Sequence, residues 1–241
     1  MARQQPGIGF SSSGLVRILS RLALAEAPDR AASLAEQLGQ WLDLADATSL
    51  YTVLHAQAGP AAGQGPQRHP LQQDLEQLRS SMGAALGSEA QEPNPWRIRL
   101  PQPGPQESPE QAADFTPYHR YYLAWQREME NSIPPLRARA RAQAARGGPG
   151  LQRLAALDAS LEQILAPRER QLLGTLPLLL ARRFAQAREA AGTALDGMQP
   201  GGWLRRSSAE LQAVLQAELE FRLLPVTGLI EAIAEEENDS P

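Results

Sequence analysis

The sequence predicts an all-α protein, a multi-helix bundle with long kinked helices and a proline-rich linker. Three observations predict it. Ala, Leu, Gln and Arg are abundant, while aromatic residues make up only 5% of the 241 residues, a mix that favours helix and gives little to a sheet. Apolar residues recur at spacings of three and four along most of the chain. No segment alternates apolar and polar residues strongly enough to read as a strand.

The elements follow in order. Residues 1–86 read as an N-terminal helical subdomain. Its first helix starts at the hydroxyls of Ser11 to Ser13 and carries Leu15, Ile18, Leu19 and Leu22. Pro28 and Asp29 open a second helix with Leu34, Leu38, Trp41 and Leu42, and Asp46 caps a third with Leu50, Val53 and Leu54. After a Gly/Pro loop, a helix from about Pro70 to Leu86 carries Leu71, Leu75, Leu78 and Met82, the stripe of one buried face. Residues 87–115 are rich in Pro, Glu and Gln and read as a linker lying extended over the surface, anchored by Trp96, Ile98 and Leu100.

Residues 116–230 form a C-terminal bundle. Thr116 and Pro117 cap and open a helix whose stripe runs Tyr118, Tyr121, Tyr122, Trp125, Met129, Ile133, Leu136, Ala140, Ala144. The stripe keeps its phase through Pro134 and Pro135, so one kinked helix is expected rather than two, despite a cost of about 3 kcal/mol for an internal proline. Gly147 to Gly150 end it. Leu154, Leu157, Leu161 and Ile164 then make a coiled-coil-like seam. Pro167 opens the next helix, with Pro177 as an internal kink. Ser207 or Ser208 caps a last helix to Leu224, and Pro225 restarts it. Residues 231–241 read as an acidic disordered tail.

Composition excludes several chemistries. The chain has no cysteine, which removes disulfides, thiolate catalysis and Cys-based metal sites. All 23 of its Lys+Arg residues are arginine, each a planar fork suited to carboxylates, phosphates and aromatic faces. Arg17 and Arg21 interrupt the only apolar stretch near the N-terminus, and no run approaches the roughly 20 apolar residues of a membrane span. A cytoplasmic protein with no transmembrane segment is expected. The net charge of -4 conceals a basic middle and an acidic end from Glu231 to Asp239.

Motifs for chemistry are missing. None of His55, His69 and His119 has a Glu three positions before it, and there is no His-Glu-x-x-His, so no metal site is expected. No Gly-x-Ser-x-Gly elbow occurs. Gly7 and Gly9 lack both a preceding strand and a third glycine, which leaves no nucleotide-binding loop. Asp158 is expected to pair with Arg182 or Arg183 as a structural ion pair. Tyr118, Tyr122 and Trp125 share a helix face and read as a packing stripe rather than a stacking platform.

The pattern Tyr122-Leu123-x-x-Gln126-x-x-Met129-x-x-x-Ile133-x-Pro135-Leu136-Arg137-x-Arg139-x-Arg141 resembles a proteobacterial family of unknown function. So do Leu154-Ala155-x-Leu157-Asp158-x-x-Leu161, Arg168-Glu169-Arg170-x-Leu172-Leu173, Arg182-Arg183-Phe184, Gly9-Phe10-Ser11-x-Ser13-x-Leu15-Val16-Arg17 and Leu38-x-x-Trp41. The resemblance covers nearly the whole chain and is weakest in the linker. It brings no catalytic residues. It implies a non-secreted bacterial protein, and an association with envelope-linked assemblies that contain coiled-coil and outer-membrane-protein-A-like domains.

The expected function is therefore non-enzymatic: a protein that binds other proteins, as an assembly or adaptor factor, with no cofactor. Its candidate interaction surface is Tyr121, Trp125, Arg137, Arg141, Arg182 and Arg183. The alternative is nucleic-acid binding through the basic helices from Arg137 to Arg188, which predicts steep salt dependence. An enzyme is the third reading and requires a cleft that gathers His119, Glu128 or Asp158. Neither the partner protein nor the oligomeric state is legible in the sequence.

Overall fold

In the computed structural model, residues 14–22, 44–55, 68–88, 95–102, 114–191 and 202–239 are described. They contain seven helices and no strand: α1 (Gly14–Arg21), α2 (Leu44–His55), α3 (Arg68–Gly87), α4 (Thr116–Ala144), α5 (Pro149–Leu173), α6 (Leu176–Ala191) and α7 (Trp203–Asp239). The all-α expectation holds. The proposed helix around Leu34 to Leu42 and the Gly7–Gly9 segment lie outside the described residues.

The 37-residue α7 is the axis of the bundle. Its stripe Leu211, Val214, Leu215, Leu219, Leu223, Val226, Leu229, Ile230, Ile233 is buried along its length. Helices α1, α3, α4, α5 and α6 all pack on it, and α2 lies on α5. Two cross-links set the direction of α3: Gln212 donates to the Leu86 carbonyl at 2.8 Å, and Arg79 pairs with Glu220 at 3.2 Å. It therefore runs antiparallel to α7. A single hydrophobic core draws on Leu15 and Leu22 near the N-terminus, Leu71 to Leu86 in α3, and the helices after residue 115. Helices α1 and α3 thus share the core of the helices after residue 115. Between them, Trp96, Ile98 and Leu100 pack against this core, and Trp96 meets Trp125 edge-on at 5.5 Å.

Helix α4 runs unbroken through Pro134 and Pro135, as its stripe predicts. Both prolines are exposed, so the carbonyls they leave unpaired face water. The same reasoning corrects three boundaries. Pro167 lies inside α5, exposed on its outer side, and does not start a helix. The break comes at Gly174 and Thr175 instead, and Pro177 sits in the first turn of α6, where its missing N–H is not needed. Pro225 lies inside α7, which is continuous.

Ser207 and Ser208 are buried four to five residues into α7 rather than capping it. Helix α4 has Phe115 at its N-cap, and the Asp114 carboxylate accepts from the Thr116 N–H at 2.9 Å. That bond holds the Asp114 carboxyl below its usual pKa. Residues 231–239, expected as a disordered tail, are the last turns of α7. There the Glu236 carboxylate accepts from the Gly148 N–H at 2.6 Å, capping α5 from 88 residues away.

Candidate functional site

The most organised polar feature is a seam where α4, α5 and α7 meet. At its lower end Glu218 of α7 is 0% exposed. Its carboxylate accepts from the Tyr122 hydroxyl at 2.7 Å, from Gln126 Nε2 at 3.0 and 3.2 Å, and from Arg222 Nε at 2.9 Å. Gln126 Nε2 also donates to the Leu173 carbonyl at 3.0 Å, tying the end of α5 to the network. Arg222 reaches Glu130 of α4 at 3.6 Å and Glu169 of α5 at 3.9 Å. A fully buried carboxylate is stable only when its lone pairs are filled by donors of this kind.

The environment shifts the titration of its neighbours. Burial pushes the Tyr122 hydroxyl well above its ordinary pKa, and the Glu218 charge adds to this. Burial also raises the pKa of Tyr121. The Glu169 carboxyl is raised by burial, against the pull of Arg222 and Arg137.

About two turns beyond Glu130, Arg137 and Arg141 of α4 clamp Asp158 and Glu162 of α5. Arg137 grips Asp158 with Nε at 3.1 Å and an Nη2 at 2.6 Å. Arg141 Nε donates to the other Asp158 oxygen at 2.9 Å and its Nη2 to Glu162. Burial alone would lower the pKa of the Arg141 guanidinium, but its hydrogen bonds to Glu162 and Asp158 raise it on balance. Such forked pairs fix the register between two helices as well as holding them together.

The structure distributes the sequence-predicted surface residues differently from expectation. Tyr121 and Trp125 are 4% and 0% exposed and belong to the core, so they offer no interaction surface. Arg137 and Arg141 face α5 and are engaged by its carboxylates. Asp158 pairs with these two and not with Arg182 or Arg183. Arg183 pairs with Glu210 of α7 at 3.1 Å, which raises its pKa, while Arg182 is exposed. The residues weighed for an enzyme stay apart in role. His119 lies tilted against Phe115 at 6.4 Å, Glu128 accepts from Ser132 at 2.8 Å, and Asp158 is held in the clamp. Among the described residues, no group of three or more His, Asp or Glu side chains is placed to hold a metal ion.

Sequence reasoning missed Glu218. Its signal was present: it falls on the apolar stripe of α7, with Arg222 at i+4 on the same face.

The outer surface carries apolar side chains. Leu172 and Leu178 are 55% and 61% exposed and flank the α5–α6 turn. Leu123, 43% exposed, lies one helical turn before Gln126, whose amide reaches the Leu173 carbonyl at that same corner.

The described helices make a bundle whose interior carries a seam of paired charges. A model of the family described as "Protein of unknown function (DUF3348)" matches residues 1–235, and the chain belongs to that family. Comparison with curated proteins and with solved structures gives no match. No described helix is long and apolar enough to cross a membrane.

Proposed function

We propose that this chain acts without catalysis, by binding other proteins as an assembly or adaptor factor. The observation that carries the reading is the exposed leucine corner of Leu123, Leu172 and Leu178. Contiguous exposed apolar surface marks interaction sites, and Leu172 and Leu178 stand on either side of one turn. The polar groups best suited to chemistry, by contrast, are engaged with one another inside the seam. The nucleic-acid reading loses support because Arg137, Arg141 and Arg183 are neutralised by Asp158, Glu162 and Glu210. The envelope link rests on the family resemblance alone.

The test is affinity capture with the full chain and with a Leu123→Ser, Leu172→Ser, Leu178→Ser variant of unchanged circular dichroism. Proteins retained by the wild type and lost by the variant are the expected result. An identical set from both would refute the leucine corner as the binding surface.

A further inference from the structure

Three helices of the bundle hold a neighbour by the same device. Leu75 of α3 is buried, and Arg79, one turn on, pairs with Glu220 of α7 at 3.2 Å. Ile133 of α4 is buried, and Arg137, one turn on, grips Asp158 of α5 at 2.6 Å. Leu179 of α6 packs against the core, and Arg183, one turn on, pairs with Glu210 of α7 at 3.1 Å. Residues four apart stand side by side on a helix. Each pair thus sets an apolar side chain beside a guanidinium, and the neighbouring helix answers with a carboxylate.

The leucine corner repeats this spacing with nothing to answer it. Leu123 and Arg127 of α4 stand four apart, as do Leu178 and Arg182 of α6, and all four are exposed. On α5, Arg168 precedes exposed Leu172 by the same four residues; it is half-buried, and its Nη1 has no hydrogen-bond partner. Among the described residues, none of Arg127, Arg168 and Arg182 forms an ion pair. The carboxylates nearest in sequence are engaged elsewhere: Glu130 and Glu169 reach Arg222 at 3.6 and 3.9 Å, and Glu128 accepts from Ser132 at 2.8 Å. Helix α4 holds no acid from Thr116 to Arg127, and α6 holds none from Leu176 to Arg188.

We infer that the partner of the leucine corner is an acidic amphipathic helix, with apolar side chains on Leu123, Leu172 and Leu178 and carboxylates on Arg127 and Arg182. This rests on the reading of that corner as a binding surface. The occupant is an acidic helix because a helix carrying a carboxylate completes each of the three internal pairs. The arginine fork also matches a carboxylate through two parallel hydrogen bonds. Leucines alone accept any apolar partner, whereas the arginines select it by the sign of its charge.

Fluorescence anisotropy of the full chain with three labelled synthetic peptides tests the inference. The peptides share one helical leucine stripe and carry Glu, Gln or Lys on either side of it. The Glu peptide is expected to bind about tenfold more tightly than the Gln peptide, the effect of two or three exposed ion pairs, with the Lys peptide weakest. At about 1 M salt, where the Debye length falls to about 3 Å, the preference disappears. An Arg127→Gln, Arg182→Gln variant binds the Glu and Gln peptides alike, and its unchanged affinity for the Gln peptide shows that it is folded. The Leu123→Ser, Leu172→Ser, Leu178→Ser variant loses all three peptides. Equal binding of the Glu and Gln peptides by the wild type, lost in the leucine variant, overturns the acidic partner and leaves the leucine corner standing. No binding of any peptide, or binding that the leucine variant keeps, overturns both. Binding to phosphatidylglycerol–phosphatidylcholine vesicles without a preference among the peptides overturns the inference in favour of a membrane surface.

Discussion

Replacing Glu218 with Gln changes one buried oxygen for an amide and removes one charge. In the native bundle that carboxylate receives Tyr122, Gln126 and Arg222 at 2.7 to 3.2 Å. The new amide faces donors where an acceptor is needed. Breaking one partner of a buried ion pair costs about 3–5 kcal/mol. Arg222 keeps Glu130 at 3.6 Å and Glu169 at 3.9 Å, so the lower end applies, about 3 kcal/mol. Arg222→Met leaves Glu218 buried with only neutral donors and falls at the upper end, about 5 kcal/mol. With both changes no unpaired charge remains, and the double variant is expected to lose about 2–3 kcal/mol less than the two singles together. Urea unfolding followed by circular dichroism and tryptophan fluorescence measures all four proteins, with the slope m unchanged across them. Single costs below about 1 kcal/mol, or strict additivity, would refute the view that this network is a tightly coupled buried unit.

Three further outcomes follow from the same geometry. The folded-state pKa of Glu169 is raised by burial, so its favourable contribution is complete only below the unfolded value and is lost as pH rises through the folded one; Glu169→Gln is therefore more stable than wild type at pH 7, with the gain vanishing in acid, as thermal melts across pH will show. In an alkaline absorbance titration, Tyr121 and Tyr122 ionise above the ordinary tyrosine range, and Tyr122 resists until the fold opens. A Cβ at Gly147 would stand 2.6 Å from Leu151 Cδ1 in the core, whereas one at Gly148 meets only the end of Glu236 at 3.1 Å; Gly147→Ala should cost about 1–3 kcal/mol and Gly148→Ala clearly less in the same urea assay.

Much of the fold is legible because burial writes itself into spacing. The α4 stripe from Tyr118 to Ala144 is buried as its phase requires, and the same phase carries the helix across two prolines. What spacing does not encode is how one helix is rotated against another. Arg137 and Arg182 look alike as partners for Asp158 until α4 is laid on α5. Proline and serine mislead for a related reason. Pro167 and Pro225 are tolerated inside helices, since tertiary packing outweighs the cost of one lost bond. Ser207 and Ser208 look like caps but are core-facing small residues. The helical acidic end is tied down by the burial of Ile233 and by a long-range contact from Glu236 to Gly148, and no local pattern announces that contact.

Helices α4 and α7 form one locked core around Glu218, with Tyr122, Gln126 and Arg222 turned inward onto it. Hydrogen exchange of the full chain tests it most directly. Amides in 121–136 and 211–233 are expected to exchange slowest, together, with protection running past Pro225 to Ile233. Fast exchange of α7 beyond Leu223, or separate rates for α4 and α7 around the Glu218 seam, would contradict it.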